Sequence, residues 1–136
     1  MQKLILFEVL VLALFFCCKV EVDQNPLVFN KVIELKYGEI ITNTDYQISI
    51  VLDSVLNDSR CPTGAQCVWA GNGAVRFVFS SANNKVSFVL NTNPTFRTDS
   101  LINGYRIKLN KLTPYPELGV VIKQADYRSE VEIIKK

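Results

Sequence analysis

The residues best equipped for chemistry lie at positions 58–75, which read DSRCPTGAQCVWAGNGAV. Cys61 and Cys67 bracket Pro62, Thr63, Gly64, Ala65 and Gln66. Pro62 and Gly64 supply turn geometry that brings two cysteines within bridging distance. The leader described below points to an oxidising compartment, where such a pair is expected as a disulfide. Redox motifs usually hold two intervening residues rather than five. Two sulfurs in a chain without His are too few for structural zinc, so no metal site is expected. Asp58 and Arg60 flank Ser59 and predict a local ion pair. On an exposed loop such a pair contributes only about 0–1 kcal/mol. Trp69 follows Cys67 by two positions. Its ring is expected to pack on the disulfide or to cap one end of the fold. Gly71 and Gly73 then let the chain turn beneath the indole.

Two readings of this segment stand side by side. In the first it is a covalently stapled corner that organises one end of the domain. In the second it is a preordered loop that recognises a ligand through Arg60, Pro62, Thr63, Gly64, Gln66 and Trp69. An ordered loop loses less entropy on binding, and Trp is favoured where binding energy concentrates. The run Asp58, Ser59, Arg60, Cys61 and Pro62, followed by Cys67, Trp69 and Gly71, resembles a signature of small uncharacterised exported bacterial proteins, many of them predicted lipoproteins. The resemblance is close over this segment and loose over the rest of the chain. It implies an exported β domain and no established activity.

Elsewhere the chain offers less. It has no His, which removes His-based triads, His metal ligands and imidazole acid–base chemistry. The 15 Lys and Arg against 13 Asp and Glu leave a net charge of +2, no electrostatic footprint for nucleic acid. Asp53, Asp58 and Asp99 lack the ligand spacing of a calcium loop. Tyr105, Tyr115 and Tyr127 are candidates for a carbohydrate-facing patch. Tyr105 and Tyr127 are expected half-buried in strands, with Tyr115 the most exposed. Asn57, Asp58 and Ser59 form a formal glycosylation sequon, meaningful only in a eukaryotic secretory pathway. No cofactor is implied.

The elements that position these residues begin after a leader. Residues 1–18 read MQKLILFEVLVLALFFCC, a basic start at Lys3 followed by an apolar run. This is the plan of a secretory signal peptide. A membrane span needs about 20 apolar residues, and positions 4–18 are fewer and include Glu8. The run closes on Cys17 and Cys18 in the manner of a bacterial lipobox. Cys18 is the better lipidation candidate, because small Cys17 then precedes the cut where bulky Phe16 otherwise would. Phe16 departs from the small residue usual two places before the Cys. Export to the cell envelope with a lipid anchor is therefore expected, a soluble secreted protein being the alternative. Residues 19–26 (KVEVDQNP) read as a polar tether.

Residues 27–136 read as one domain. Apolar residues make up 49% of the 136-residue chain, enough for a core and too many for global disorder. Two-residue alternation predicts strands at 32–37, 47–56, 74–80, 85–90, 96–102, 105–110, 120–123 and 127–134. Val55 breaks the second pattern, which predicts a bulge near Leu52. SANN at 81–84 and Asn103-Gly104 are hairpin turns. TPYP at 113–116 cannot continue a ladder. A short helical turn has room at 113–118 or inside the disulfide loop. Seven or eight short strands predict an all-β fold, a single antiparallel sandwich with one disulfide-closed loop.

Three functions are compatible with this reading. The favoured one is a non-enzymatic envelope domain that binds an unknown protein or glycan or supports a surface structure. An exported protease inhibitor presenting the Cys61–Cys67 loop is the alternative. An enzyme working without His ranks last, because no nucleophile and base are nominated together.

Overall fold

The computed structural model describes residues 26–82 and 84–136. The expected leader and all of the tether except Pro26 lie outside the described residues. Among the described residues there are eight strands: β1 (Val32–Lys36), β2 (Ile40–Asn43), β3 (Ile48–Asp58), β4 (Gly73–Ser81), β5 (Asn84–Asn91), β6 (Asp99–Ile102), β7 (Tyr105–Thr113) and β8 (Arg128–Lys135). They form two four-stranded antiparallel sheets, ordered β1-β8-β7-β6 and β2-β3-β4-β5. Period-two alternation dictates which side chains meet. Ile33 and Leu35 of β1, Ile107 and Leu109 of β7, and Val131 and Ile133 of β8 face the other sheet. Ile48, Ile50 and Leu52 of β3, Val75, Phe77 and Phe79 of β4, and Phe88 and Leu90 of β5 face back. Burying each such side chain is worth roughly 1.5–3 kcal/mol, so the interleaved faces are what hold the sheets together. The antiparallel sandwich expected from the sequence is the fold observed.

Two bulges in β3, between Leu52 and Ser54 and between Val55 and Asn57, reset its alternation. The first is the irregularity that Val55 signals, and it turns Val55 into the core. A further shift in β7 between Leu109 and Lys111 lets Leu112 face inward as well. Asn103 and Gly104 both take positive φ, 50° and 81°, as the tight β6–β7 hairpin requires. Thr113-Pro114 is a cis peptide, and β7 ends there.

The set of strands differs from expectation in two places. Residues 120–123 form no strand. They lie beside the part of β3 that β2 does not reach, where the Gln124 side chain rather than a backbone ladder meets Val55, and Val120 and Val121 are exposed. In their place β2 pairs with β3 from Ile40 opposite Val51 to Asn43 opposite Ile48. It is four residues long with only Ile41 buried, so it leaves almost no alternation to read. Among the described residues the helical turn is a 3-10 turn at Gln124–Asp126, just before β8, rather than at 113–118 or in the disulfide loop. The strand expected over 96–102 contracts to β6. Tyr37, expected inward beside Ile33 and Leu35, instead bridges Leu52 across the sheets and is partly exposed.

Candidate functional site: the stapled rim

β3 ends, β4 begins and β7 ends at one rim of the sandwich. Asp58, the last residue of β3, meets Arg60 there. Arg60 Nε donates to Asp58 Oδ1 at 2.7 Å and Arg60 Nη2 to Asp58 Oδ2 at 2.6 Å, a bidentate pair. Arg60 Nη1 also donates to the carbonyl of Leu112 at 2.6 Å, and Nη2 to that of Pro114 at 2.8 Å. The Tyr115 ring lies 4.9 Å from the guanidinium carbon. On the other side, Tyr127 Oη donates to Asp58 Oδ2 at 3.0 Å. The side chains of Arg60 and Asp58 are only 7% and 8% exposed. The sequence therefore predicted the pair but misjudged its setting. It is buried because the end of β7 and the start of β8 close over it.

Burial by itself would raise the Asp58 pKa. The hydrogen bond and charge of Arg60, with the Tyr127 hydroxyl and the Arg60 backbone N–H, outweigh that and hold it below its ordinary 3.8. Tyr127 moves the other way. Burial, then its hydrogen bond to Asp58 and the charge there, push its pKa up to about 12. Tyr127 is buried rather than half-buried. Tyr105 is half-buried, stacked on Phe29 at 5.7 Å. Tyr115 is the exposed one, as expected.

Gly71 has a different reason from the one its position suggests. A Cβ built there would lie 1.6 Å from the carbonyl oxygen of Ser59 and 2.7 Å from Arg60 Cα. The two arms of the loop thus touch backbone to backbone, with no indole between them. Ser59 and Asn72 tie the same arms together through Ser59 N to Asn72 O at 2.8 Å and Asn72 N to Ser59 Oγ at 3.1 Å.

Beyond this base, Cys61 and Cys67 are bonded, with Cα atoms 5.9 Å apart. Ala65 N donates to Pro62 O at 3.1 Å, and Gly64 takes φ of 87° at the third position of that turn. The loop does not project freely. Thr63 N donates to Pro116 O at 2.9 Å, and Leu118 N to Thr63 O at 3.2 Å, so its tip lies on residues 116–118. Thr63, Gly64 and Gln66 are exposed, while Pro62 is half-buried.

Trp69 neither packs on the disulfide nor caps the sandwich. It is 80% exposed, and Val68 beside it is 89% exposed. Leu118, Val120 and Val121 are exposed on the neighbouring loop, and Leu56 at the end of β3. A cleft of about 320 Å³ opens between β3 and that loop, lined by Leu56, Asn57, Pro116, Val120, Ile122 and Gln124 among others. The Gln124 amide makes two hydrogen bonds to Val55: Nε2 donates to its carbonyl at 2.7 Å, and Oε1 accepts from its N–H at 2.9 Å. It thereby stands in for a neighbouring strand.

The three aspartates considered for calcium do not converge. Asp58 is held by Arg60, Asp53 lies beside Ser54 and Arg76, and Asp99 pairs with Arg106 at 2.7 Å. The sequence reading offered Tyr127 for a carbohydrate-facing patch and not as a partner of Asp58, and it named neither Gln124 nor the aliphatic residues at 118–121 as part of a site. Tyr127 and Gln124 each reach partners 69 residues earlier, and no local pattern encodes that.

The fold and the rim together define a class: an antiparallel β-sandwich with one end closed by a buried Arg–Asp pair and a disulfide. No family model matches the chain, and neither a curated protein nor a solved structure matches it significantly.

Proposed function

We propose that this chain is an exported, non-enzymatic β domain, lipid-anchored through Cys18, that binds a partner through its stapled rim. The observation that carries the binding role is the exposure of Val68 and Trp69 on a loop anchored by the disulfide and the buried Arg60. Large apolar side chains held rigidly in water favour a contact. Export is supported by the apolar leader ending in Cys18 and by the disulfide, which suits an oxidising compartment. The likeness of residues 58–71 to exported bacterial proteins points the same way. The protease-inhibitor reading draws less support. An inhibitory loop offers its backbone to the protease, whereas the N–H and C=O of Thr63 are already used by Pro116 and Leu118.

Two experiments test this. Cells fed an alkyne fatty acid should label the chain, Cys17→Ser should keep the label, and Cys18→Ser should lose it. Labelling that survives Cys18→Ser excludes this anchor. The purified domain should be retained on immobilised envelope proteins. A Val68→Ser/Trp69→Ser variant with unchanged melting temperature should not be. Equal retention of the two removes the rim as the binding surface, and turnover-dependent labelling by hydrolase probes removes the non-enzymatic reading.

A further inference from the structure

The dipeptide Asn-Gly occurs twice in the chain, as Asn72-Gly73 and as Asn103-Gly104. It is the pair in which a backbone amide most readily attacks the side chain before it, because Gly has no Cβ to obstruct the approach. The fold treats the two copies in opposite ways.

Asn72-Gly73 lies at the rim where β4 begins, and the groups that such a reaction would use are already engaged. Asn72 Nδ2 donates to Asn91 Oδ1 at 2.8 Å, and Asn72 Oδ1 accepts from Asn93 N at 3.2 Å. Both ends of the carboxamide are thereby tied to the end of β5 and the loop after it. The attacking nitrogen, Gly73 N, donates to Thr92 Oγ1 at 2.8 Å, and the Gly73 carbonyl accepts from Thr92 N at 3.0 Å. Gly73 is buried, and a Cβ built there would lie 2.8 Å from Leu112 Cδ2. Closing a ring at Asn72 therefore requires the start of β4 and residues 91–93 to come apart together.

Asn103 and Gly104 are both exposed. They make up the whole β6–β7 loop, since Ile102 pairs directly with Tyr105. A Cβ built on Gly104 would meet nothing within 4 Å. Their positive φ values hold the turn, and ring closure requires Asn103 to leave that conformation. The strand that must loosen is β6, four residues long and outermost in its sheet. Local opening at the tip of a short edge hairpin breaks few contacts and costs far less than parting the rim.

We infer that Asn103 is a site of spontaneous covalent modification in the folded protein, converted with time to aspartate and isoaspartate, and that the rim protects Asn72 from the same reaction. Gly104 N forms a bond to Asn103 Cγ, the Cγ–Nδ2 bond breaks, and ammonia leaves carrying the Gly104 amide proton. Water then opens the cyclic succinimide at one of its two carbonyls. Opening at the side-chain carbonyl leaves an ordinary aspartate. Opening at the main-chain carbonyl routes the backbone through the former side chain, giving isoaspartate. One water is consumed and one ammonia released, with no oxidation or reduction. The reaction needs neither export nor a partner.

The two products differ in what they do to the hairpin. Asp-Gly accepts the same turn as Asn-Gly, so aspartate adds a negative charge and leaves the pairing intact. Isoaspartate inserts a methylene into the backbone of a two-residue loop. Ile102 can then no longer sit opposite Tyr105, and the bond from Lys136 N to the Gly104 carbonyl at 2.9 Å is lost with that register.

The purified full-length chain, kept folded at mildly alkaline pH in heavy-oxygen water, tests this. Peptide mass spectrometry with electron-transfer fragmentation separates Asn, aspartate and isoaspartate, and the oxygen label marks conversion during the incubation. Conversion at Asn103 should run several-fold faster than at Asn72. In guanidinium the difference should vanish or reverse, since slender Gly71 precedes Asn72 and bulky Ile102 precedes Asn103. Equal rates in the folded chain, a faster rate at Asn72, or an intact Asn103 after the unfolded chain has reacted each overturn the inference. Asn91→Ala releases Asn72 Nδ2 and should speed conversion at Asn72 without changing it at Asn103. An unchanged rate at Asn72 removes the protection. The aged isoaspartate fraction should exchange its amide hydrogens over 99–102 faster than the Asn103→Asp variant does. Equal exchange in the two overturns the stated effect on the hairpin.

Discussion

Residue by residue, the rim separates what holds the fold from what the fold displays. Arg60 and Trp69 are nine positions apart in one loop, and truncating them should have opposite consequences. Arg60→Ala leaves Asp58 ionised and buried without its partner, a change that costs about 3–5 kcal/mol. Trp69→Ala removes a side chain already in water, so its stability change should stay within about 0.5 kcal/mol. Urea unfolding followed by circular dichroism measures both. A stable Arg60→Ala protein would mean that the pair is not the lock described here. A second prediction concerns Ser129, which faces the core between Leu35 and Leu112. Among the described residues its Oγ has no hydrogen-bond partner. Removing an unsatisfied hydroxyl at nearly constant shape relieves a desolvation penalty. Ser129→Ala should therefore raise stability by about 1 kcal/mol in the same assay, and a loss of that size would show that the hydroxyl is satisfied after all.

Among the elements, legibility followed the number of alternating positions. β4 carries Val75, Phe77 and Phe79 inward, a run long enough to announce both strand and face. β2 offers only Ile41 inward, and the turn-forming Asn43, Thr44 and Asp45 next to it masked the pairing. The reverse error came at 120–123, where Val120, Val121 and Ile122 are strand-prone but the open edge of β3 is met by the Gln124 side chain instead. Propensity describes a residue's fitness for a pleated surface, and only the tertiary arrangement supplies the neighbour. The staple was legible because both cysteines lie within seven residues. The buried setting of Arg60 was not, since it depends on carbonyls 52 and 54 residues away and on Tyr127. The staple and the Arg60 lock also act by different routes. A Cys61→Ser/Cys67→Ser variant should lose about 2 kcal/mol, mostly by freeing the unfolded chain. Because Trp69 is already exposed, its emission maximum should not move before the unfolding transition. A red shift of Trp69 in the folded double variant would show that the bridge shelters the indole.

At the scale of the whole molecule, the lock ties both sheets together. Asp58 belongs to β3 in one sheet, while Leu112 lies in β7 of the other and Tyr127 immediately precedes β8 of that sheet. Its protonation state therefore bears on the stability of the entire sandwich. Asp58 has a folded pKa below its ordinary value, so its contribution is complete above pH 4 or so and is lost as pH falls through the folded value. Tyr127 has a folded pKa raised from 10.0 to about 12, so the folded state holds that proton more tightly than the unfolded chain. Its contribution is complete below pH 10 and is lost as pH rises from 10 toward 12. The two limbs bracket a plateau, and one substitution separates them. Tyr127→Phe should lower the plateau, because a hydrogen bond to a charged acceptor is worth about 1.5–3 kcal/mol. It should also remove this group's share of the alkaline decline while the acid limb persists, still set by Asp58 and Arg60. Urea midpoints measured from pH 3 to 12 on wild type and Tyr127→Phe test this directly. An alkaline decline equally steep in both proteins would show that the Tyr127 hydroxyl does not couple to the lock.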